Sequence, residues 1–307
     1  MKLLIILLMN IYLAKSSEDQ VLIHGPNTPV YVCKLVNGHV KVETVRQKFD
    51  NKAAKYSYDE AIHPKLLVVV DYKDYSKDGE QKSLDHAVEI IERINSDYKY
   101  VNSTPHVEAQ LAGVVLITEQ DGYSPPSTFK MSVDRRECSR TFCNDEGMCS
   151  QSCWTRPALV DYAFSRSELK RFSDWFKVTA EQFEDSDYDA FIYSFPGYLT
   201  EGLWNPRTVW SLSSGTVCQS KPGAIVSNKF GYSVYAFSIE LAYLLGLTHN
   251  EDNVDSHWYT HEELDINWYK IIDWRNQTAD IVKDNYQHGK YSCLKKPVKK
   301  NDDYDDE

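Results

Sequence analysis

Two groupings of residues could do chemistry in this chain. The first is Glu240 and His249, on either side of Gly246 in the run Ser238-Ile-Glu-Leu-Ala-Tyr-Leu-Leu-Gly-Leu-Thr-His-Asn250. A carboxylate can take a proton from water, and a neutral imidazole can bind a metal ion. The second is His257 and His261, four apart and followed by Glu262 and Glu263. Residues four apart share one face of a helix. If this stretch is helical, His257 and His261 can chelate a metal with His249 or a glutamate. As a solvated polar loop they would do nothing, and that is the simpler reading.

The cysteines suggest where such chemistry would happen. There are seven: Cys33, Cys138, Cys143, Cys149, Cys153, Cys218 and Cys293. The four from Cys138 to Cys153 are spaced x4, x5 and x3, with no CxxC, so two local disulfides fit better than a zinc knuckle. Their pairing stays open. Seven is odd, and Cys33 reads as unpaired or intermolecular. Residues 1–17 have signal-peptide character: Lys2, an apolar run from Leu3 to Leu13, then small residues at Ala14 and Ser16. That run is shorter than the roughly 20 residues a bilayer requires. The expectation is a secreted, extracellular protein with no membrane span. The sequons at Asn102 and Asn276 fit export. A net charge of −11 without any basic stripe excludes nucleic acid as a natural partner. The acidic end, residues 296–307, reads as a solvated tail.

The elements that must position Glu240 can be read from hydrophobic pattern. Val30 to Leu35 alternates as a strand does, and Asn37-Gly38 signals a hairpin turn. Residues 48–59 look like a linker. Leu66 to Val70, Gly113 to Thr118 and Asp189 to Ser194 are strands, the first and third buried on both faces. A helix capped by Ser83 carries Leu84, Ala87, Val88, Ile91 and Ile94. A second carries Leu169, Phe172, Phe176 and Phe183. The cysteine-rich stretch reads as a surface loop. Short strands are expected near 208–212, 215–218 and 224–227. A third helix runs from about Ser233 to Leu245 and stops at Gly246, and a fourth lies near Trp274 to Tyr286. Strand alternating with helix predicts an α/β fold with a largely parallel sheet.

The run Ser238 to Asn250 resembles the metzincin signature HExxHxxGxxH plus aspartate. In that signature two histidines on one helix face, and a third beyond the glycine turn, hold zinc, and the glutamate is the general base. On this sequence the first ligand position is Ile239, the base is Glu240 and the second ligand position is Tyr243. Gly246 is the turn, His249 is the retained third ligand, and Asn250 stands where aspartate is usual. Pro64 to Tyr72 is similar to the opening strand of reprolysin (adamalysin) domains, and Asp189 to Ser194 to their strand before the edge. Gly215-Thr-Val-Cys218 and Tyr291-Ser-Cys-Leu294 resemble the ends of their long disulfide. The likeness is to short secreted reprolysins of arthropod saliva and venom.

The resemblance implies a metzincin-like α/β domain over residues 62–295, preceded by a short propeptide-like segment at 18–61. It implies a twisted, mainly parallel sheet, an active-site helix, a cleft along an edge strand, a small C-terminal subdomain and a Cys218–Cys293 bridge. The departures bear on chemistry. Isoleucine has no lone pair, and a phenol with a pKa near 10 stays protonated. Asn267 occupies the place of the family's turn methionine. The expectation is a secreted pseudoprotease without a cofactor, binding an extracellular peptide or protein through the retained cleft. Glu240 would then be a vestigial base. The alternative is an active zinc metalloendopeptidase with an atypical site at His249, His257 and His261.

Overall fold

The computed structural model describes residues 22–24, 28–36, 39–46, 49–50, 52–57, 60–119, 129–138, 142–143, 149–150, 153–183, 187–200, 208–209, 211–218, 222–228, 233–247, 258–259 and 268–295. Its centre is a seven-stranded sheet. In chain order the strands are β1 (Pro29–Val36), β2 (His39–Arg46), β3 (Lys65–Val70), β4 (Gln110–Ile117), β5 (Ala190–Phe195), β6 (Ser211–Ser214) and β7 (Gly223–Ser227). Across the sheet they lie in the order β6-β7-β5-β3-β4-β1-β2. The five inner strands are parallel, and β6 and β2 run antiparallel at the two edges. The expected α/β fold with a mostly parallel sheet is therefore observed.

Four α-helices are described: α1 (Tyr72–Tyr98), α2 (Ser165–Ala180), α3 (Ser233–Leu244) and α4 (Trp268–Gln287). They make two layers around the sheet. Every residue of β3 is buried, as its unbroken apolar run requires in a strand covered on both faces. Leu66, Val68 and Val70 pack with α1, α3 and α4. Leu67 and Val69 face the other way, into the layer of α2, where Phe172 stacks on Tyr193 with ring centroids 4.0 Å apart.

Several local expectations are revised by the structure. Residues 29–46, read as part of a segment set apart from the domain, supply β1 and β2 of the central sheet. Val36 pairs with His39, so the hairpin has the two-residue connection that Asn37-Gly38 signals. Cys33 on β1 is free and fully buried, out of reach of a second chain. Burial pushes its thiol up to about 12, which leaves it protonated and inert. Helix α1 starts well before Ser83: Asp71 is its N-cap and accepts from the Lys73 amide. Gly79, at φ 78°, breaks the helix, and Ser83 instead donates to the Gly79 carbonyl at 2.8 Å. The cysteine-rich stretch is flanked by a long antiparallel ribbon, Phe129–Cys138 against Cys153–Phe164. Its register sets Cys153 opposite Cys138, and a separate short pairing sets Cys143 opposite Cys149. Residues 215–218 form a turn, with no strand.

The two sheet edges differ. On β2 the side-chain amide of Gln182 accepts from the Val42 N–H and donates to the Val40 carbonyl, both at 3.2 Å. It satisfies two edge groups as a neighbouring strand would. Among the described residues, no strand pairs with the outer side of β6.

Cys218 and Cys293 are bonded, joining the turn after β6 to the end of the chain's last described element across 75 residues. The chain-entropy argument gives such a loop about 4 kcal/mol. The C218S/C293S double variant is expected to lose roughly that much stability in urea unfolding. A loss under about 1 kcal/mol would mean that α4 is held by packing alone.

Candidate functional site

Helix α3 carries the residues singled out by sequence. Its apolar residues lie nearly all round, and Ala236, Phe237, Leu241, Ala242, Leu244 and Leu245 are all buried, so it is a core helix. It ends as a Schellman motif, with Gly246 N–H donating to the Tyr243 carbonyl and Leu247 N–H to that of Ala242. Gly246 sits at φ 110°, and a Cβ there would come within 2.8 Å of Asn285 Nδ2. Glycine is required at this position by conformation and by space. The freed Leu245 carbonyl accepts from Asn285 at 3.0 Å and from the Tyr291 hydroxyl, which ties the turn to α4 and the segment after it.

On the other side α3 is held by α1. Ser238 donates to Asp97 at 2.6 Å, and Tyr98 donates to the Ser238 carbonyl at 3.1 Å. Burial raises the Asp97 carboxyl above its ordinary range.

Ile239 and Tyr243 share a helix face, four residues apart. Ile239 is half-buried and packs against the apolar core, while Tyr243 is only 8 % exposed and belongs to that core. Burial, and then the nearby Glu240 carboxyl, hold the Tyr243 phenol well above its ordinary pKa. It is therefore a protonated side chain, a weak ligand for a metal ion at best. An isoleucine and a neutral phenol do not fit the helix half of a zinc site. Among the described residues, no three His, Cys, Asp or Glu side chains are gathered as a metal would require. His249, His257 and His261 lie outside the described residues.

Glu240 is 1 % exposed and points at the edge strand. The Ser211 and Ser213 side chains of β6 hydrogen-bond to its carboxyl. Its Oε2 is buried without a hydrogen-bond partner among the described residues. Desolvation outweighs the two serines and pushes the Glu240 carboxyl up to about 7. The residue in the base position thus acts as a clamp between α3 and β6. Ser211 and Ser213 were missed by sequence reasoning. Two serines at alternate positions of one strand share a face, and that spacing was the available signal.

A second polar constellation was also missed. It lies at the carboxyl ends of the inner strands β3 and β5. Tyr193 donates to Asp71 at 2.6 Å, His86 Nε2 lies 3.1 Å from Ser194 Oγ, and the Asn228 amide donates to Asp74. Burial lowers the His86 pKa, so the ring is neutral. Ser194 is fully buried, and the cluster serves to tie α1 to the sheet. The sequon residues Asn102 and Asn276 are both exposed, as glycan acceptors must be.

No family model and no curated protein sequence matches this chain. Among solved structures it is similar to one described as a chaperone–substrate complex, at 12% identity and TM-score 0.38, over 69% of this chain and 29% of that one. It is also similar to metalloproteinase-II from Bacteroides fragilis, at 15% identity and TM-score 0.33, over 73% of this chain and 55% of that one. The chain thus spans less than two thirds of the length of either structure.

The clamp makes a pH prediction. Between about pH 4.5 and 7 the unfolded chain releases the Glu240 proton while the folded chain keeps it. This contribution to stability is full below that window, falls as pH rises through it, and levels off above. Glu240→Gln keeps a neutral side chain able to bond both serines. It is expected to be more stable than the parent at about pH 8, by roughly 3 kcal/mol, and nearly equal at about pH 4. Urea unfolding at both pH values measures this. Equal stability at pH 8 would show that the folded state holds the carboxylate at little cost.

Proposed function

We propose that this chain is a secreted, reprolysin-like pseudoprotease that binds an extracellular peptide or protein along its edge strand and does not cleave it. The observation that carries this reading is the state of helix α3. The two ligand positions hold Ile239 and Tyr243, packed into the core, and the base position holds Glu240, consumed as a clamp on β6. General-base chemistry requires a carboxylate in reach of a water it can deprotonate. A carboxyl exposed to only 1 % and turned onto two serines is cut off from bulk water.

The binding half of the proposal rests on β6. It is an antiparallel edge strand beside α3, and an extended peptide can add to such an edge through main-chain hydrogen bonds. The position of α3 next to the edge, its stop at Gly246 and the Cys218–Cys293 bridge support placing the chain with the metzincins. Secretion follows in this reading from residues 1–17 and the disulfide. No described helix is long and apolar enough to cross a membrane.

The test is metal content and activity on one preparation, expressed in a eukaryotic secretion host and purified without chelator. Zinc below about a tenth of an equivalent, with no casein hydrolysis, is the expected result. Close to one equivalent, with hydrolysis abolished by a chelator and by H249A, H257A or H261A, would make the chain an active metalloendopeptidase with an atypical site.

A further inference from the structure

Two tyrosines have acidic residues on both sides and no lysine or arginine within three positions. Tyr188 sits in Asp185-Ser-Asp-Tyr-Asp189, and Tyr304 in Asn301-Asp-Asp-Tyr-Asp-Asp-Glu307. A phenol set among carboxylates is a nucleophile that an enzyme can select by charge. Lysines and arginines along a substrate channel hold the carboxylates and so place the acceptor oxygen. In an exported protein, the group transferred to a phenol chosen in this way is a sulfonate.

The structure separates the two tyrosines. Tyr188 is 4 % exposed, and its ring lies edge-on to Phe176 at 5.9 Å between centroids. Its acidic neighbours are engaged as well. Asp187 pairs with Lys65 Nζ at 2.5 Å, and Asp189 accepts from the Lys65 main-chain N–H at 2.8 Å. The Tyr188 phenol is out of reach of an enzyme acting on the folded chain, and two of the carboxylates that would guide that enzyme are held by β3. Tyr304 lies past Lys295, where the described residues end. Residues 301–307 hold five acids and no aliphatic side chain, a composition with little to bury. The Cys218–Cys293 bridge roots the segment that leads to them beside the turn after β6.

We infer that Tyr304 is a sulfation site, with a nucleotide-activated sulfate as the co-substrate. The phenolic oxygen attacks sulfur and forms the new O–S bond. The bond between sulfur and the bridging phosphate oxygen breaks, and the nucleotide leaves with that electron pair. The phenolic proton passes to a base of the transferring enzyme. The product is an ester that stays ionised at physiological pH, a fixed negative charge added to the acidic run. The chain from Lys295 to Tyr304 spans at most about 30 Å, so the charge stays tethered to the fold. This inference rests on the secretion reading, because activated sulfate meets tyrosine along the export route. Phosphoryl transfer from a nucleoside triphosphate would give the same phenol nearly the same mass, and the test separates the two esters.

The full chain and its Tyr304→Phe variant are expressed in a eukaryotic secretion host and recovered from the medium. Trypsin cuts after Lys300, and Tyr304 carries the one hydroxyl side chain in residues 301–307. Negative-ion mass spectrometry of that peptide is expected to show one added sulfonate on most copies. The addition should resist phosphatase and disappear when the cells are grown with chlorate, which blocks formation of activated sulfate. The tryptic peptide that holds Tyr188 should carry none. The Y304F protein should reach the medium at the parental yield with residues 301–307 unmodified.

A secreted chain with residues 301–307 unmodified overturns the inference and leaves secretion standing. A phosphatase-sensitive addition assigns Tyr304 to phosphorylation and overturns it too. Sulfate on Tyr188 overturns the argument from burial. A chain retained in the cells overturns the secretion reading and the inference with it.

Discussion

Everything in this molecule depends on burying α3 on nearly all sides. An apolar helix between a sheet, a second helix and a C-terminal helix makes every unsatisfied polar atom costly. Most of its polar groups are accordingly given a neighbour, Glu240 Oε2 being the exception among the described residues. Ser238 is bonded to Asp97 of α1, and Glu240 faces two serines of β6. The last carbonyls are taken by the glycine turn, Asn285 and Tyr291. A metal centre makes the opposite demand. It requires several polar groups left free of protein partners and turned toward one point. Ile239 and Tyr243 on this helix serve packing instead.

The sheet and its two helical layers were legible because the inner strands are buried on both faces. Leu66 to Val70, Gly113 to Ile117 and Ala190 to Phe195 read as unbroken apolar runs for that reason. The end of α3 was legible because only glycine fits at 246. The ribbon of 129–138 and 153–164 was not, since charges and Pro157 interrupt its alternation and the four cysteines from Cys138 to Cys153 read as a stapled loop. The start of α1 was hidden by its break at Gly79, which hands the helical periodicity over to Ser83.

The candidate site was half legible. Glu240, Ile239 and Tyr243 were found because their spacing ahead of Gly246 resembles a known motif. Their surroundings were not found, because partners such as Ser211 and Ser213 come from a strand some thirty residues earlier and carry no signature of their own. The same holds for the network of Asp71, His86, Tyr193 and Ser194. Its members are spread over 124 residues and meet only when parallel strands align their carboxyl ends. Pairing across distance is a property of topology, and local pattern does not encode it.

The asymmetry of the two sheet edges has a consequence for how copies of this chain can meet. Within the central sheet Gln182 occupies two main-chain groups on the outer edge of β2, with Lys41 and Glu43 beside it, and among the described residues β6 is the edge without such a cover. A contact through one edge alone must be two-fold: β6 of one copy against β6 of another uses up both edges at once. Growth stops at two. Pairing through β6 alone thereby gives this sheet a route to a closed pair.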